Sequence, residues 1–419
     1  MTTQKSATHP WWYVPTLYFA EGLPYIIVNA VSVILYKRMG VDNAAIAFWT
    51  SWLYLPWVIK MFWGPLVDMY STKRRWVLWT QFTMAACLAA LAFSLHLPGY
   101  FFISMAAFTV GAFISATHDI ATDGYYMLAL SEEDQAFFVG IRATCYRLAM
   151  IFGSGFLVYL AGRLETSTGS IPRSWMVVLA VPAGIFAVLF VYHKFVLPEP
   201  EDTGPRPART AEDPSFWEVI RCYLDQDKIV PTLAFILLYR LGEAMLVKLA
   251  SPFLLDGREV GGMGLTTAQV GLVYGTVGLS CLVAGGILGG WLLSRYGLKR
   301  CIWPMAVLLN APDLFYVYMA YAQPPVAMAG ALVALEQFGY GVGFTAFTVY
   351  LMQRAGESKY KTSHFAISTG VMALGMMLPG FVSGKLQMMV GYKLFFVIVC
   401  LATLPGMLVI PFIPKNHRA

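Results

Sequence analysis

Gly64-Pro65-Leu66-Val67-Asp68-Met69-Tyr70-Ser71-Thr72-Lys73-Arg74-Arg75 is the stretch on which the fold turns, because it has an echo. Beginning 226 residues further on, Gly290-Trp291-Leu292-Leu293-Ser294-Arg295-Tyr296-Gly297-Leu298-Lys299-Arg300 repeats its spacing. Each copy has a Gly two residues before a Leu, and a Lys-Arg pair nine and ten residues after that Gly. Long apolar runs flank both copies, so each reads as a short basic turn between neighbouring membrane helices. One polar device placed twice, roughly half a chain apart, is the mark of two structurally repeated halves.

Composition supports this. The 419 residues are 58% hydrophobic and 12% charged, with a mean hydropathy of +0.62. Soluble domains carry about twice that charge fraction. The apolar runs are continuous rather than alternating, which selects membrane-spanning helices over a barrel. The six Cys have no metal-like or disulfide spacing and read as small core residues. A net charge of +6 fits basic inner loops rather than a nucleic-acid surface. The polar first ten residues show no cleavable signal pattern, so the first apolar run is expected to remain as a helix.

A span needs about 20 apolar residues. Such runs predict twelve helices near 11–36, 45–67, 76–97, 99–128, 136–161, 174–197, 229–255, 267–294, 301–321, 326–352, 363–384 and 392–413. Between the sixth and seventh lies the long hydrophilic segment 198–228, which opens with linker composition. Its end differs. Ser215 with Glu218 fits a capping box, and Phe216, Trp217, Ile220, Tyr223 and Leu224 fall at helical spacing, as in an amphipathic helix on a membrane surface. With the N-terminus inside, 17 of the 29 Lys and Arg fall on inner segments, 7 on outer ones and 5 within helices. Both termini are therefore expected to be cytoplasmic.

The five cations within spans are Lys60, Arg142, Arg147, Arg240 and Lys248, and the acids set with them are Glu21, Asp119, Asp123, Glu243 and Glu336. A charge at mid-bilayer costs about 3 kcal/mol even on lenient scales, so these residues imply a polar interior. Asp119 and Asp123 are four apart and share one helix face. Two chemistries fit them, and the two are compatible. Facing each other in a low dielectric, they cannot easily both be charged and so form a protonation switch. Alternatively, one or both pair with Arg142 or Arg147 and lock two helices.

Glu21 sits in Ala20-Glu21-Gly22-Leu23-Pro24-Tyr25, where Gly and Pro weaken the helix and free backbone groups. A carboxylate there suits a proton or a sugar hydroxyl, or else marks a kink tied to a neighbouring Lys. Asn29, on a similar face, is either a donor to sugar and amide groups or interhelical glue. Arg240 and Glu243, three apart, form either an internal pair or, through Arg240, a bidentate grip on a carboxylate. Lys60, Arg147 and Lys248 are further anion binders. Glu336 heads the glycines 339, 341 and 343, which suit close helix approach rather than a phosphate loop, and it is a second candidate proton site. The aromatics are read as belts and packing, with Tyr25, Trp49 and Tyr125 as sugar platforms.

The two basic turns resemble the G-x-L-x-D-x-x-G-x-K/R-K/R loop of the major facilitator superfamily. The first copy keeps Asp68 but has Ser71 at the second Gly; the second has Gly297 but Ser294 for the Asp. Ala116-Thr117-His118-Asp119-Ile120-Ala121-Thr122-Asp123-Gly124-Tyr125 is similar to the A-T-Q-D-I-x-x-D-A-Y/W segment of the AmpG-type muropeptide permeases. Ser51-Trp52-Leu53-Tyr54-Leu55-Pro56-Trp57-Val58-Ile59-Lys60-Met61-Phe62-Trp63-Gly64-Pro65-Leu66 resembles their K-F-L-W-S/A-P-L-x-D region, and Tyr146-Arg147-Leu148 their G-Y-R-L segment. Leu238-Tyr239-Arg240-Leu241-Gly242-Glu243-Ala244 resembles L-Y-K-L-G-D-A, Glu336-Gln337-Phe338 opens a match to F-E-N-x-x-G-G-M-G-T-A-A-F, and Glu21-Gly22-Leu23-Pro24 corresponds to S-G-L-P. These matches run in order along nearly the whole chain.

The resemblance implies an all-α membrane protein of twelve transmembrane helices in two six-helix pseudo-symmetric halves, the major facilitator fold. Residues 1–197 form the first bundle, 198–228 a cytoplasmic linker with its amphipathic helix, and 229–419 the second bundle. It implies a monomeric inner-membrane importer, in the peptide, acetyl-CoA and drug transporter branch, that carries anhydromuropeptides from periplasm to cytoplasm by alternating access. The proton gradient is the energy source, and no cofactor or metal is needed. Protons are expected on Glu21, Asp119, Asp123, Glu243 or Glu336. Cargo contacts are expected from Tyr25, Asn29, Lys60, His118, Tyr125, Arg147, Arg240, Lys248 and Gln337. Gating is expected at Gly64, Asp68, Arg74, Arg75, Gly290 and Arg300, with Asp68 meeting the dipole at the N-terminal end of the eleventh helix near Thr362-Ser363. Glu21, His118, Arg240 and Gln337 depart from the AmpG-type residues, which leaves another amino sugar or glycopeptide as cargo. The alternatives are drug efflux and import of a coenzyme A ester or simple sugar. A membrane-embedded enzyme would need a nucleophile with its base or a metal cluster, and the scattered His residues supply neither. A non-transporting sensor is the remaining class.

Overall fold

The computed structural model of the chain describes residues 8–199 and 216–414, apart from positions 65, 66, 68 and 69. Asp68 and Ser215 lie outside the described residues, so the Asp68 gate contact and the Ser215 cap are not placed. Among the described residues the secondary structure is entirely helical, and nine helices are long and apolar enough to cross a membrane. Two of these, Thr267–Ala322 and Ser363–Val409, are too long for one crossing. Each contains a glycine in the left-handed region, Gly297 at φ 72° and Gly391 at φ 71°. Only Gly takes that backbone conformation freely, so the helix stops and restarts there. Split at these points, nine spans become eleven, at the places expected from sequence.

The second expected span, 45–67, is not one helix. It is broken into Asn43–Trp52, Leu55–Ile59 and a 3-10 turn at Lys60–Phe62. Pro56 explains the first break, because it lacks an N–H and its ring collides with the carbonyl four residues back. Side chains cap the helix starts: Asp42 accepts from the Ala45 amide at 2.8 Å, Thr72 from Arg75, and Thr266 forms a capping box with Gln269. In the first helix, Pro24 is followed by a wide π turn at Ile27–Val31, so the expected weakening of that helix is present.

By packing, the chain forms two units: Met1–Met39 with Ile59–Ala208, and Gly40–Val58 with Arg209–Ala419. The first unit has an aromatic core of Tyr13, Tyr18, Tyr125, Tyr126 and Phe138. A methyl on Gly22 would sit 2.6 Å from Tyr146 O, so the first and fifth helices touch through backbone.

The second unit includes residues 40–58, which the sequence reading assigned to the first bundle. The helix Asn43–Trp52 packs against the helix that begins at Lys361, where a side chain on Gly380 would fall on Ser51 Oγ and one on Gly384 on Asn43 O. Polar bonds hold its start: Asn43 Nδ2 donates to Gln387 Oε1 and Tyr392 OH, both at 2.8 Å, and Tyr392 OH donates to Asp256 Oδ2 at 2.7 Å. The tenth helix, Val326–Gly356, is seamed to its neighbours by the expected glycines. A methyl on Gly341 would fall on Leu282 O, one on Gly339 on Leu308 O, and one on Gly285 of the eighth helix on Phe338 O. The core beside this seam stacks Tyr239 on Phe347, with centroids 5.2 Å apart and planes 6° from parallel.

The linker helix Phe216–Leu224 is fastened to the start of the eleventh helix. Glu218 accepts from Tyr360 OH at 2.6 Å, Tyr223 OH bonds Ser368 Oγ at 3.0 Å, and Gln226 bonds His364 Nδ1 at 2.6 Å. Trp217 and Leu224 remain exposed, a pattern that suits a surface helix entering the headgroup layer.

The glycine seam is testable. Gly341→Ala forces backbone apart and should cost about 1–3 kcal/mol, seen as lower thermal stability of the purified protein. Gly290→Ala, which meets nothing within 4 Å, should leave stability unchanged.

Candidate proton and cargo sites

In the first unit, the 3-10 turn Lys60–Phe62 takes Lys60 out of regular helix and toward the fourth helix. Its Nζ lies 4.0 Å from Asp119 Oδ2. One turn further, Asp123 Oδ1 accepts from Arg142 Nη1 at 3.2 Å and from Tyr18 OH at 2.9 Å. Arg142 also donates to Tyr18 OH at 2.8 Å and lies over the Tyr18 and Tyr126 rings. The two aspartates thus do not face one another as a bare pair. Each meets its own cation, Asp123 in the helix-locking arrangement that the sequence left open.

Glu21 lies within electrostatic reach of Asp119, Asp123, Lys60 and Arg142, and its Oε2 is buried with no hydrogen-bond partner. Asn29 Nδ2 bonds back to Tyr25 O at 3.0 Å, while its Oδ1 is buried without a donor. Tyr25 packs at a tilt on Tyr146, centroids 6.3 Å apart. Arg147 reaches Met150 Sδ at 3.9 Å. His118 is drawn into a buried interhelical chain: it bonds Gln81 at 3.2 Å, Gln81 Oε1 bonds His193 at 2.9 Å, and His193 bonds Thr16 at 2.9 Å. Tyr125 is also buried, its hydroxyl donating to Pro198 O at 2.9 Å. These contacts tie His118 and Tyr125 into packing rather than exposing them as ligands.

Among the gating candidates, Arg74 is held by the end of the sixth helix, through Glu199 at 2.8 Å, Leu197 O at 3.0 Å and Lys194 O at 2.7 Å. Arg75 gives its amide to the Thr72 cap. Gly64 and Gly290 have open space around them, and Arg300 is exposed.

In the second unit, the seventh helix is interrupted: Ile229–Leu238 ends and Leu241–Leu255 begins, with Arg240 at the cap. Of the two arrangements open to Arg240 and Glu243, the internal ion pair does not form. The break takes Arg240 off the helical spacing and places its guanidinium over Tyr340 and Phe344, at 5.2 and 4.7 Å, where it donates to the Tyr340 hydroxyl. Both carboxyl oxygens of Glu243 are buried without hydrogen-bond partners. Glu336 accepts from its neighbour Gln337 at 3.0 and 3.2 Å and from Tyr316 OH at 3.5 Å. Lys248 is buried; its Nζ donates to Thr50 Oγ1 at 3.1 Å and sits 4.8 Å from the centre of the Tyr54 ring. Among the described residues no carboxylate forms an ion pair with it. A buried carboxyl or ammonium without an opposite charge needs a proton change or a charged ligand, so these groups are equipped for both protons and anions.

Residues 16–378 match the Major Facilitator Superfamily, most of the chain. The chain belongs to the major facilitator superfamily. Its structure agrees with solved members of that fold. It resembles a bacterial homologue of the human lysosomal transporter Spinster with a TM-score of 0.72 at 13% identity, covering 97% of this chain and 98% of that one. The D-xylose–proton symporter gives the same TM-score of 0.72, also at 13% identity, with 97% and 98% covered. In sequence, the anhydromuropeptide permease of Escherichia coli K12 is 28% identical over 94% of this chain and 77% of that permease. A protein of Rickettsia felis described as putative transporter AmpG 4 is 23% identical over 94% of both chains. The resemblance to AmpG-type permeases is thereby shown, and the chain is a multi-pass membrane transporter, not an enzyme.

Asp313, Tyr316, Tyr340, Thr50 and Tyr54 are not among the site residues expected from sequence. Asp313 had a visible signal, an acid inside the apolar ninth run directly after Asn310-Ala311-Pro312. The Tyr and Thr had none, because their roles depend on which helix comes alongside.

Arg142→Ala removes contacts to two rings and one half-exposed carboxylate, and should cost about 1–2 kcal/mol in denaturant unfolding. Tyr18→Phe, which loses only hydroxyl bonds, should cost about 1 kcal/mol.

Proposed function

We propose that this protein imports anhydromuropeptides, or a closely related amino sugar or glycopeptide, from periplasm to cytoplasm, coupled to inward proton movement. The observation that carries this reading is the similarity to the Escherichia coli anhydromuropeptide permease, which extends over 94% of the chain. In this reading the protein works as a monomer in a bacterial inner membrane, by alternating access, with both termini in the cytoplasm.

The side chains suit such a cargo. Its carboxylates need a cation. Lys248 offers an ammonium with the Thr50 hydroxyl and Tyr54 ring already in place beside it. Asn29 offers an unused carbonyl oxygen to hydroxyl or amide donors. The Lys60–Asp119 contact at 4.0 Å supports proton coupling in this reading. A proton on Asp119 cancels its charge and releases Lys60 to an anionic group, so proton and cargo each favour binding of the other, and that coupling is reciprocal. Glu21, in electrostatic reach of both, is a second place for the same proton.

The test is uptake of labelled anhydromuropeptide into proteoliposomes, with and without an inward-directed pH gradient. Wild type should accumulate the label only with the gradient, and Asp119→Asn should abolish gradient-driven accumulation. Lys248→Gln should raise KM about tenfold, the loss of one charge-assisted bond. Absence of uptake by folded protein that still binds amino sugars would exclude this cargo.

A further inference from the structure

The second unit contains a pair of acids for which the cargo reading gives no account. The ninth helix, like the seventh, is interrupted. It runs to Asn310, tightens into the 3-10 turn Ala311–Asp313, and resumes as Leu314–Ala322. The two interruptions meet. A methyl built on Gly242 would lie 3.4 Å from Asp313 Oδ2 and 2.9 Å from Val399 O, so the backbone beside Glu243 rests directly against the Asp313 carboxyl. Glycine is required there because a side chain would push the helices apart.

Asp313 and Glu243 are each 1% exposed. All four of their carboxyl oxygens are buried without a hydrogen-bond partner. The ionisable groups around Asp313 are Glu243 from the seventh helix, Tyr316 on its own helix, Glu336 from the tenth and Cys400 from the twelfth. None is a cation. Arg240, the nearest cation in sequence to Glu243, lies within electrostatic reach of it but forms no salt bridge with it and is engaged by Tyr340 and Phe344. Glu336 has its own donors in Gln337 and Tyr316. Asp313 and Glu243 therefore share a low-dielectric setting in which both cannot easily be charged, with Glu336 as a third acid in reach of the two and, among the described residues, no cation within salt-bridge distance of either.

We propose that Asp313 and Glu243 hold one proton between them and form a proton-holding centre within the second unit, separate from the Lys60–Asp119 group. The two acids then titrate as one coupled unit, and the proton belongs to the pair. The pair deepens the importer reading, on which only its use in transport rests, by giving the second unit a proton that moves with the conformational cycle.

The first test needs no cargo. Difference infrared spectroscopy between acid and alkaline pH, on the purified full-length protein in lipid, reads protonated carboxyl groups directly. Asp313→Asn and Glu243→Gln should each remove the same carbonyl band, and the double variant should remove no more than either alone. Two independent bands with additive losses, or an unchanged spectrum, would overturn the pairing. Should Asp313→Asn not fold, Asp313→Glu must keep the band and Glu243→Gln must lose it; the reverse pattern overturns the proposal.

The second test uses transport. Asp313→Asn should retain exchange of labelled anhydromuropeptide between the two sides, yet lose at least tenfold in accumulation driven by an inward pH gradient. Accumulation at the wild-type level, or loss of exchange from folded protein, counts against the proton role. If wild type itself takes up no muropeptide, the cargo reading fails while the infrared result still decides the pair.

Discussion

A charge buried in a membrane protein must find an opposite charge, a proton or a ligand, and the interior of this chain is arranged by that constraint. Each unit answers it differently. In the first, the charges are close together: Lys60 with Asp119, and Arg142 with Asp123 under two tyrosine rings. In the second, they are kept apart. Arg240 is diverted onto aromatic faces, Lys248 rests on a hydroxyl and a ring, and among the described residues Glu243 and Asp313 form no salt bridge. Isolated charges are costly in a low dielectric. That cost is also a store of differential affinity, because a proton or an anionic cargo relieves it.

The breaks in the helices make this arrangement reachable. Regular helix would keep Lys60, Arg240 and Asp313 in line with neighbours three and four residues away. The 3-10 turn at Lys60, the cap at Arg240 and the turn at Pro312 each free a polar side chain to point elsewhere. At Arg240 and Asp313, both buried, the freed backbone groups can be tolerated because they lie inside the protein and not against lipid. Glycine seams hold the remaining helices at backbone distance. The tenth helix in particular is wedged through Gly339 and Gly341, so that Glu336 is fixed between its two donors.

The linker helix shows how local pattern and tertiary contact divide the work. Helical spacing of Trp217, Tyr223 and Leu224 is enough to indicate an amphipathic helix. The partners of Glu218, Tyr223 and Gln226, however, are Tyr360, Ser368 and His364, more than a hundred residues away. Nothing in the local sequence names them.

By itself the sequence determined the class, the span positions, the repeated basic turns and the family resemblance. All of these rest on local hydrophobicity, on turn residues such as Gly297 and on short motifs, which act over a few residues. It also identified most of the buried charges, since a charge in an apolar run is visible wherever it occurs. Tertiary structure alone decided the partners. It put Asp123 with Arg142 rather than with Asp119, left Arg240 and Glu243 without a salt bridge despite ideal spacing, and drew His118 and Tyr125 into packing. It also moved residues 40–58 into the second unit and brought Asp313 beside Gly242 and Glu243. The reason is physical: pairing energy depends on distance and burial across helices, and a chain position fixes neither until the helices have packed.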